Sequence, residues 1–229
     1  MLRIMFSSKL VWAGLAATIA SAAASADPIA TYGFTDLDGD YTLTNPGDPS
    51  QGGPFVARAS AISAGGPYNS RGDVTRVEAP GGTAIFQTAF VAGADSLDYV
   101  LTMNIANVTA TAATASGSFV LTDLDGDTIT GDLTGNWQRL GGVFGSFEGT
   151  MSNVSFNSLT DGVFEGSSGS FPLTFSGGPL YNGAIIVLET GRWFTNNFTN
   201  ANTQVEASIL PEPSALLLLA MGAAFARRR

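Results

Sequence analysis

The pentapeptide Asp-Leu-Asp-Gly-Asp occurs twice, at 36–40 and 123–127, each time preceded by a threonine and flanked by stretches that read as strands. Three carboxylates in five residues are hard oxygen ligands, and Ca2+ takes six to eight oxygens. Asp36, Asp38, Asp40, Asp123, Asp125 and Asp127 are therefore candidate Ca2+ ligands. The EF-hand arrangement does not fit, because glycine stands fourth rather than sixth and the twelfth positions are Gly47 and Thr134. The other reading is a pair of β-hairpins, since Asp-Gly is a favoured turn dipeptide that accepts positive φ. Spacing alone leaves both open.

The chain has no cysteine and no histidine. No Ser-His-Asp or Cys-His centre can be assembled, nor a zinc site with His or Cys ligands. A hydrolase or lyase on this sequence would rely on carboxylates, and Glu148, Glu165 and Glu189 lie on strand-like segments where a pair could form. Trp137, Trp193, Tyr181 and Tyr32 could stack sugars, although aromatics in a β domain more often fill the core. The densest binding-like cluster is Trp193, Asn196 and Asn197, where an indole and two amides follow Arg192. These three are the candidate glycan-binding residues.

The elements that must position these groups are short and alternating. Between 97 and 105, Leu97, Tyr99, Leu101, Met103 and Ile105 share one face, and Asp98, Thr102 and Asn104 share the other, which predicts a half-buried antiparallel strand. Further strands are expected over 29–35, 41–44, 55–62, 83–92, 117–122, 128–137 and 184–190, with a weak alternation over 73–78, one bent strand or a hairpin over 143–156, short strands marked by Phe164, Phe171 and Phe175, and a last one ending at Ile209. Segments 36–40 and 110–115 read as connections. Gly131 and Gly135, between Ile129, Leu133 and Trp137, suggest a bend or a close backbone approach. The pattern predicts an all-β fold, an antiparallel sandwich or barrel-like domain over 27–209.

Both ends of the chain are different in kind. Arg3 and Lys9 precede an apolar segment, 10–20, and Ala24-Ser25-Ala26 offers a small-x-small site, so a signal peptide over 1–26 is expected, cut between Ala26 and Asp27. At the other end Pro211, Glu212 and Pro213 form a stiff, extended tripeptide. A 12-residue apolar run, 215–226, follows, and then Arg227-Arg228-Arg229. As a short hydrophobic helix this run spans about 18 Å, less than the roughly 30 Å of a bilayer core. The three arginines would stay cytoplasmic. Rigid motif, apolar run and basic stop, in that order at the C-terminus, resemble the PEP-CTERM sorting signal of bacterial exported proteins. The resemblance covers 210–229 only. It implies that an exosortase-type membrane protease removes the tail after transient inner-membrane retention, and that the protein works with extracellular polysaccharide.

Without its ends the chain keeps five arginines and eighteen carboxylates between 27 and 210, a net charge of −13. Nucleic acid requires a basic face, so the composition argues against it as a partner. The expectation is an exported cell-surface or extracellular protein with a structural or interaction role. A carboxylate-based polysaccharide hydrolase or lyase and a Ca2+-dependent glycan-binding module are the alternatives.

Overall fold

Alternation of apolar and polar side chains, carried through antiparallel neighbours, builds one closed wall. The structure, a computed structural model, describes residues 27–87, 99–141, 144–176, 178 and 180–211. The expected signal peptide with Ala26, the start of the 97–105 strand, Glu212, Pro213 and the hydrophobic tail lie outside the described residues. Among the described residues no helix is long and apolar enough to cross a membrane.

The strands are β1 (Ala30–Tyr41), β2 (Gly53–Arg58), β3 (Arg71–Arg76), β4 (Gly82–Phe86), β5 (Tyr99–Ala106), β6 (Ala112–Thr122), β7 (Thr128–Leu140), β8 (Phe144–Asn157), β9 (Val163–Glu165), β10 (Ser170–Pro172), β11 (Tyr181–Thr190) and β12 (Phe198–Pro211). Eight of them pair in the order β1-β2-β5-β6-β7-β8-β11-β12, and β12 pairs back onto β1. Every contact in that circle is antiparallel. The fold is all-β, and of the two expected architectures it is the barrel.

β1 changes neighbour halfway along. Ala30–Thr35 pair with β3, whereas Asp38–Tyr41 pair with β2. The switch falls at Asp36, which has φ of 59° and sits in a bulge where the register against β12 slips between Phe34 and Leu37. An aspartate tolerates this conformation better than most residues. Segment 36–40 is thus not the hairpin connection expected from its Asp-Gly. It is the second half of a continuous strand, because β12 supplies partners along the whole length of β1. Leu37, Gly39 and Tyr41 point inward and are buried. A Cβ at Gly39 would lie 2.5 Å from Thr203 Oγ1 and 2.9 Å from the Ala201 carbonyl, so the glycine of this copy serves close packing.

The second copy does form a turn. Residues 123–127 join β6 to β7, with Asp123 N–H bonded to the Asp127 carbonyl and Gly126 at φ 113°. Segment 110–115, expected as a connection, mostly belongs to β6: Ala113 and Ala115 are buried inward and paired with Trp137 and Gly135. Alanine carries a weak β signal, and pairing on both sides overrides it. The close approach expected near Gly135 is present. A Cβ there would stand 2.3 Å from the Glu148 carbonyl and 2.6 Å from Gly149 Cα.

Side chains fill the interior, as in other small barrels. Tyr32, Phe34, Tyr99 and Phe119 form one aromatic layer, with ring centroids 5.1–6.0 Å apart in the contacting pairs. Phe55, Trp137, Phe147 and Phe194 form another, with Trp137 5.0 Å from Phe194. Phe164 and Phe171 of the β9–β10 hairpin pack beside Phe86 of β4. Arg76, buried, lies 4.4 Å over the Phe175 ring and donates to the carbonyls of Glu78 and Pro172.

On β5, Leu101 and Met103 are fully buried, while Thr102 and Asn104 face solvent. Leu101→Ala and Met103→Ala should each cost about 2–5 kcal/mol, and Thr102→Ala and Asn104→Ala under about 1 kcal/mol. Denaturant midpoints of the four variants check this, and equal losses at all four would contradict a one-sided wall.

Candidate functional site

The two ends of the barrel carry different chemistry. At the terminal end, β1 begins and β12 finishes, Ala30 pairing with Ile209, and the 123–127 turn lies at this same end. At the opposite, loop end lie segments 42–52, 107–111 and 191–197.

In the 123–127 turn, Asp123, Asp125 and Asp127 each bring a carboxylate oxygen within 4.8 Å of the others. Two of these carboxylates are already turned onto backbone donors. Asp123 Oδ1 accepts from the N–H groups of Asp125 (3.2 Å), Gly126 (2.9 Å) and Asp127 (2.8 Å), and its Oδ2 accepts from Glu165 N–H at 3.0 Å. Asp127 Oδ1 accepts from Leu159 N–H (2.5 Å) and Thr160 N–H (2.6 Å), and Oδ2 from Gly162 N–H (2.8 Å). Both side chains are buried, and Asp125 is exposed. Burial pushes the Asp123 carboxyl up to about 6, against the Glu165 and Gly126 N–H groups that favour its anion. Burial also acts on Asp127, but the Thr160, Leu159 and Gly162 donors outweigh it and hold that carboxyl below its ordinary value. A ring of N–H donors supplies the positive potential that a cation would otherwise bring. The arrangement can peg the β6–β7 turn to segment 159–165.

Asp36, Asp38 and Asp40 stand elsewhere, on the outer face of β1. Arg71 lies 3.8 Å from Asp36, Arg58 lies 4.0 Å from Asp38, and Arg58 also bonds Asp40. Asn202 Nδ2 donates to Asp36 Oδ1 at 2.7 Å. A strand spreads its outward residues along its length, and neighbouring arginines share these charges.

The aromatic platform is corrected by burial. Trp137, Trp193, Tyr181 and Tyr32 are all core residues. Trp193 is 5% exposed, and its Nε1 donates to the Thr109 carbonyl at 2.8 Å, so it plugs the loop end together with Phe194 and offers no open face for a sugar. Asn197 Oδ1 accepts from Leu43 N–H at 2.7 Å, tying the 191–197 loop to the chain after β1. Asn196 is exposed.

The three glutamates do not converge. Glu148 faces outward on β8, Glu165 lies on β9 near the terminal end, and Glu189 points inward at the loop end. Glu148 borders an open depression of about 720 Å3 on the outer wall, with Asn104, Ser116, Thr134, Asn136 and Thr150 on β5–β8. Glu189 is 1% exposed, and its Oε1 is buried with no hydrogen-bond partner among the described residues. Burial pushes its carboxyl up to about 7, opposed by the Arg192 backbone N–H and the Arg192 charge. The sequence held a signal for this, because Ile185, Val187 and Glu189 alternate onto one face.

A pairing that the sequence did not suggest joins Arg139, at the end of β7, to Arg192, Thr195, Asn196 and Asn197 around a small pocket of about 210 Å3. Comparison with family models, curated proteins and solved structures finds no match to the chain.

Two outcomes follow. Asp127→Ala leaves three backbone donors facing a lost acceptor and should cost at least about 3 kcal/mol. Asp125→Ala, on the surface, should stay within about 0.5 kcal/mol. Melting of the wild type should be the same in EDTA and in Ca2+. A fall of several degrees in EDTA, restored by Ca2+, would make the turn a metal site.

For Glu189 the folded value lies above the unfolded one. Its contribution is therefore complete below about 4.5 and is lost as pH rises through about 7. The loss is on the order of 3 kcal/mol. Stability of the wild type minus that of Glu189→Gln, measured from pH 4 to 8, should fall across this window, and a flat difference would contradict the assignment.

Proposed function

We propose that this is an exported protein, delivered through the C-terminal sorting signal and working at the cell surface or in the extracellular matrix as a structural or polysaccharide-interacting module. The observation that carries this reading is the placement of the chain ends. β12 runs to Pro211, which still pairs with Tyr181, and Asp27 is exposed a few residues before β1. The last described strand therefore reaches the first residue of the sorting motif, and Asp27 and Pro211 lie at the same end of the barrel. Removal of either end leaves every barrel strand in place.

The arrangement of the carboxylates supports an interaction role over a hydrolytic one. A glycosidase holds two carboxyl groups about 5–9.5 Å apart across a substrate cleft. Here aromatic rings fill the barrel interior, Asp123 and Asp127 serve backbone donors, Glu189 lies under the 191–197 plug, and Glu148 stands outside the wall among hydroxyl and amide groups. Thr, Ser and Asn side chains on an outer wall suit contact with hydrated polymers through hydrogen bonds.

Intact-mass analysis of the protein recovered from the cell surface or medium tests the reading. The exported species should begin at Asp27 and lack Arg227-Arg228-Arg229. A surface species that keeps its tail would refute the sorting assignment.

A further inference from the structure

Strand register leaves a furrow around the outside of the barrel. On β5–β8 the open depression of about 720 Å3 is bordered by two rows of outward side chains. Asn104, Ser116, Thr134 and Thr150 stand opposite one another in one row, and Ala106, Thr114, Asn136 and Glu148 in the next. Between the rows, the backbone of Ala115, Gly135 and Gly149 forms the floor. A second depression, of about 410 Å3, lies farther round, on β11, β12, β1 and β3. The same three rows line it. Thr150 pairs on through Ala184 and Ser208 to Thr31, and Glu148 through Ile186, Glu206 and Gly33 to Asp73. The floor continues from Gly149 through Ile185 to Ala207 and Tyr32. The register shifts of β1, β7 and β11 fall outside these positions, so no bulge interrupts the rows. The furrow thus crosses eight strands. At about 4.8 Å per strand it is about 34 Å long, and its rims, two residues apart along each strand, stand about 7 Å from each other.

We propose that this furrow binds a linear, uncharged polysaccharide laid across the strands. Its length suits a polymer rather than a single sugar. The first rim is almost wholly hydroxyl and amide, groups that donate and accept as sugar hydroxyls do. The second rim places the exposed Glu148 and Glu206 two strands apart. A carboxylate accepts charge-assisted hydrogen bonds, and its two oxygens can take neighbouring hydroxyls of one ring. Among the described residues no basic side chain forms an ion pair with Glu148 or Glu206, and no arginine borders either depression. With a net charge of −13 over 27–210, such a furrow repels an acidic polymer and accepts a neutral one. Ile186, 47% exposed, stands midway and offers an apolar contact to the carbon face of a ring. The furrow is preformed, because hydrogen-bonded pairing on both sides fixes the strands that carry its rims, and this lowers the ordering cost of binding.

The inference rests on the interaction role proposed above and names the site and ligand class for it. The test is retention of the purified full chain on immobilised glucomannan, a linear neutral polymer, with polygalacturonate as the acidic arm. Glucomannan should retain the chain with little dependence on salt, and polygalacturonate should not. Longer glucomannan oligosaccharides should compete better than disaccharides. Thr134→Arg and Ser208→Arg, each filling one depression, should weaken retention roughly tenfold or more, as should Glu148→Gln/Glu206→Gln. Val120→Arg, on the outer face of β6 beyond the furrow, brings the same change of charge as the other arginines and should leave retention intact. All five substitutions are at outward side chains, and an unchanged melting temperature separates lost binding from lost folding. No retention on glucomannan, equal retention on polygalacturonate, equal competition by disaccharides, or equal loss in Val120→Arg would each overturn the assignment. A dimer in sedimentation that dissociates in Thr134→Arg would make this face an interface between copies and overturn it too. Binding does not depend on processing. A chain that binds but keeps its tail at the surface overturns the sorting reading alone, and a processed chain that fails to bind glucomannan overturns this one alone.

Discussion

The pairing of β1 with β12 is the constraint on which the rest of the structure depends. It joins the first described strand to the last, from Ala30 against Ile209 to Tyr41 against Phe198. Without it the eight strands would form an open sheet with two long edges, each a template for aggregation. With it, the wall closes and a single inside is defined for every strand at once. That inside is where Tyr32, Phe34, Leu101, Trp137 and Val205 meet, although they span most of the sequence. The same pairing brings the start and the finish of the domain to one end.

Closure also dictates what each face accepts. The interior is narrow and lined by large rings, so inward positions that oppose a ring or a neighbouring backbone are small. Gly39 and Gly135 are such positions. The bulge at Asp36 lets one strand serve two neighbours, β3 and then β2, and turns the carboxylates of the first Asp-Leu-Asp-Gly-Asp copy outward beside Arg58 and Arg71. In the second copy the strand ends instead, and the Asp123 and Asp127 carboxylates turn back onto N–H groups of the 159–165 segment. The same five residues thus do different work in two settings, because one copy has a strand partner along its whole length and the other sits where the wall stops.

Charge is divided between the ends in a related way. The terminal end is knitted by buried aspartates, each satisfied by several backbone donors. The loop end is closed by Trp193 and Phe194 and carries Arg139 and Arg192 at its rim, with the buried Glu189 on the inner face near Gly145 and Trp137. Glu189 is an inward carboxyl whose Oε1 has no hydrogen-bond partner among the described residues, and burial pushes it up to about 7.

Much of this was legible in the sequence, and the rest was not, for physical reasons. Alternation over the described part of that segment, 99–105, identified a one-sided strand and its buried residues, since side-chain direction along a strand is a local property. The all-β class, the 123–127 turn and the crowding near Gly135 followed from equally local signals. Closure into a barrel did not, because it depends on which strands pair, and pairing is decided by neighbours far apart in sequence. For the same reason 36–40 read as a turn and 110–115 as a connection: local chemistry favoured both, and partners on either side overrode it. Trp193 looked available because exposure is a property of packing, and only the folded loop end shows its ring against Phe194 and its Nε1 on Thr109. The composition alone determined that this chain cannot use cysteine or histidine chemistry and that its charge is strongly negative. Only the tertiary structure decided that Arg139 and Arg192 border one pocket, because the pairing of β7 with β8 and of β8 with β11 carries the end of β7 to the 191–197 loop.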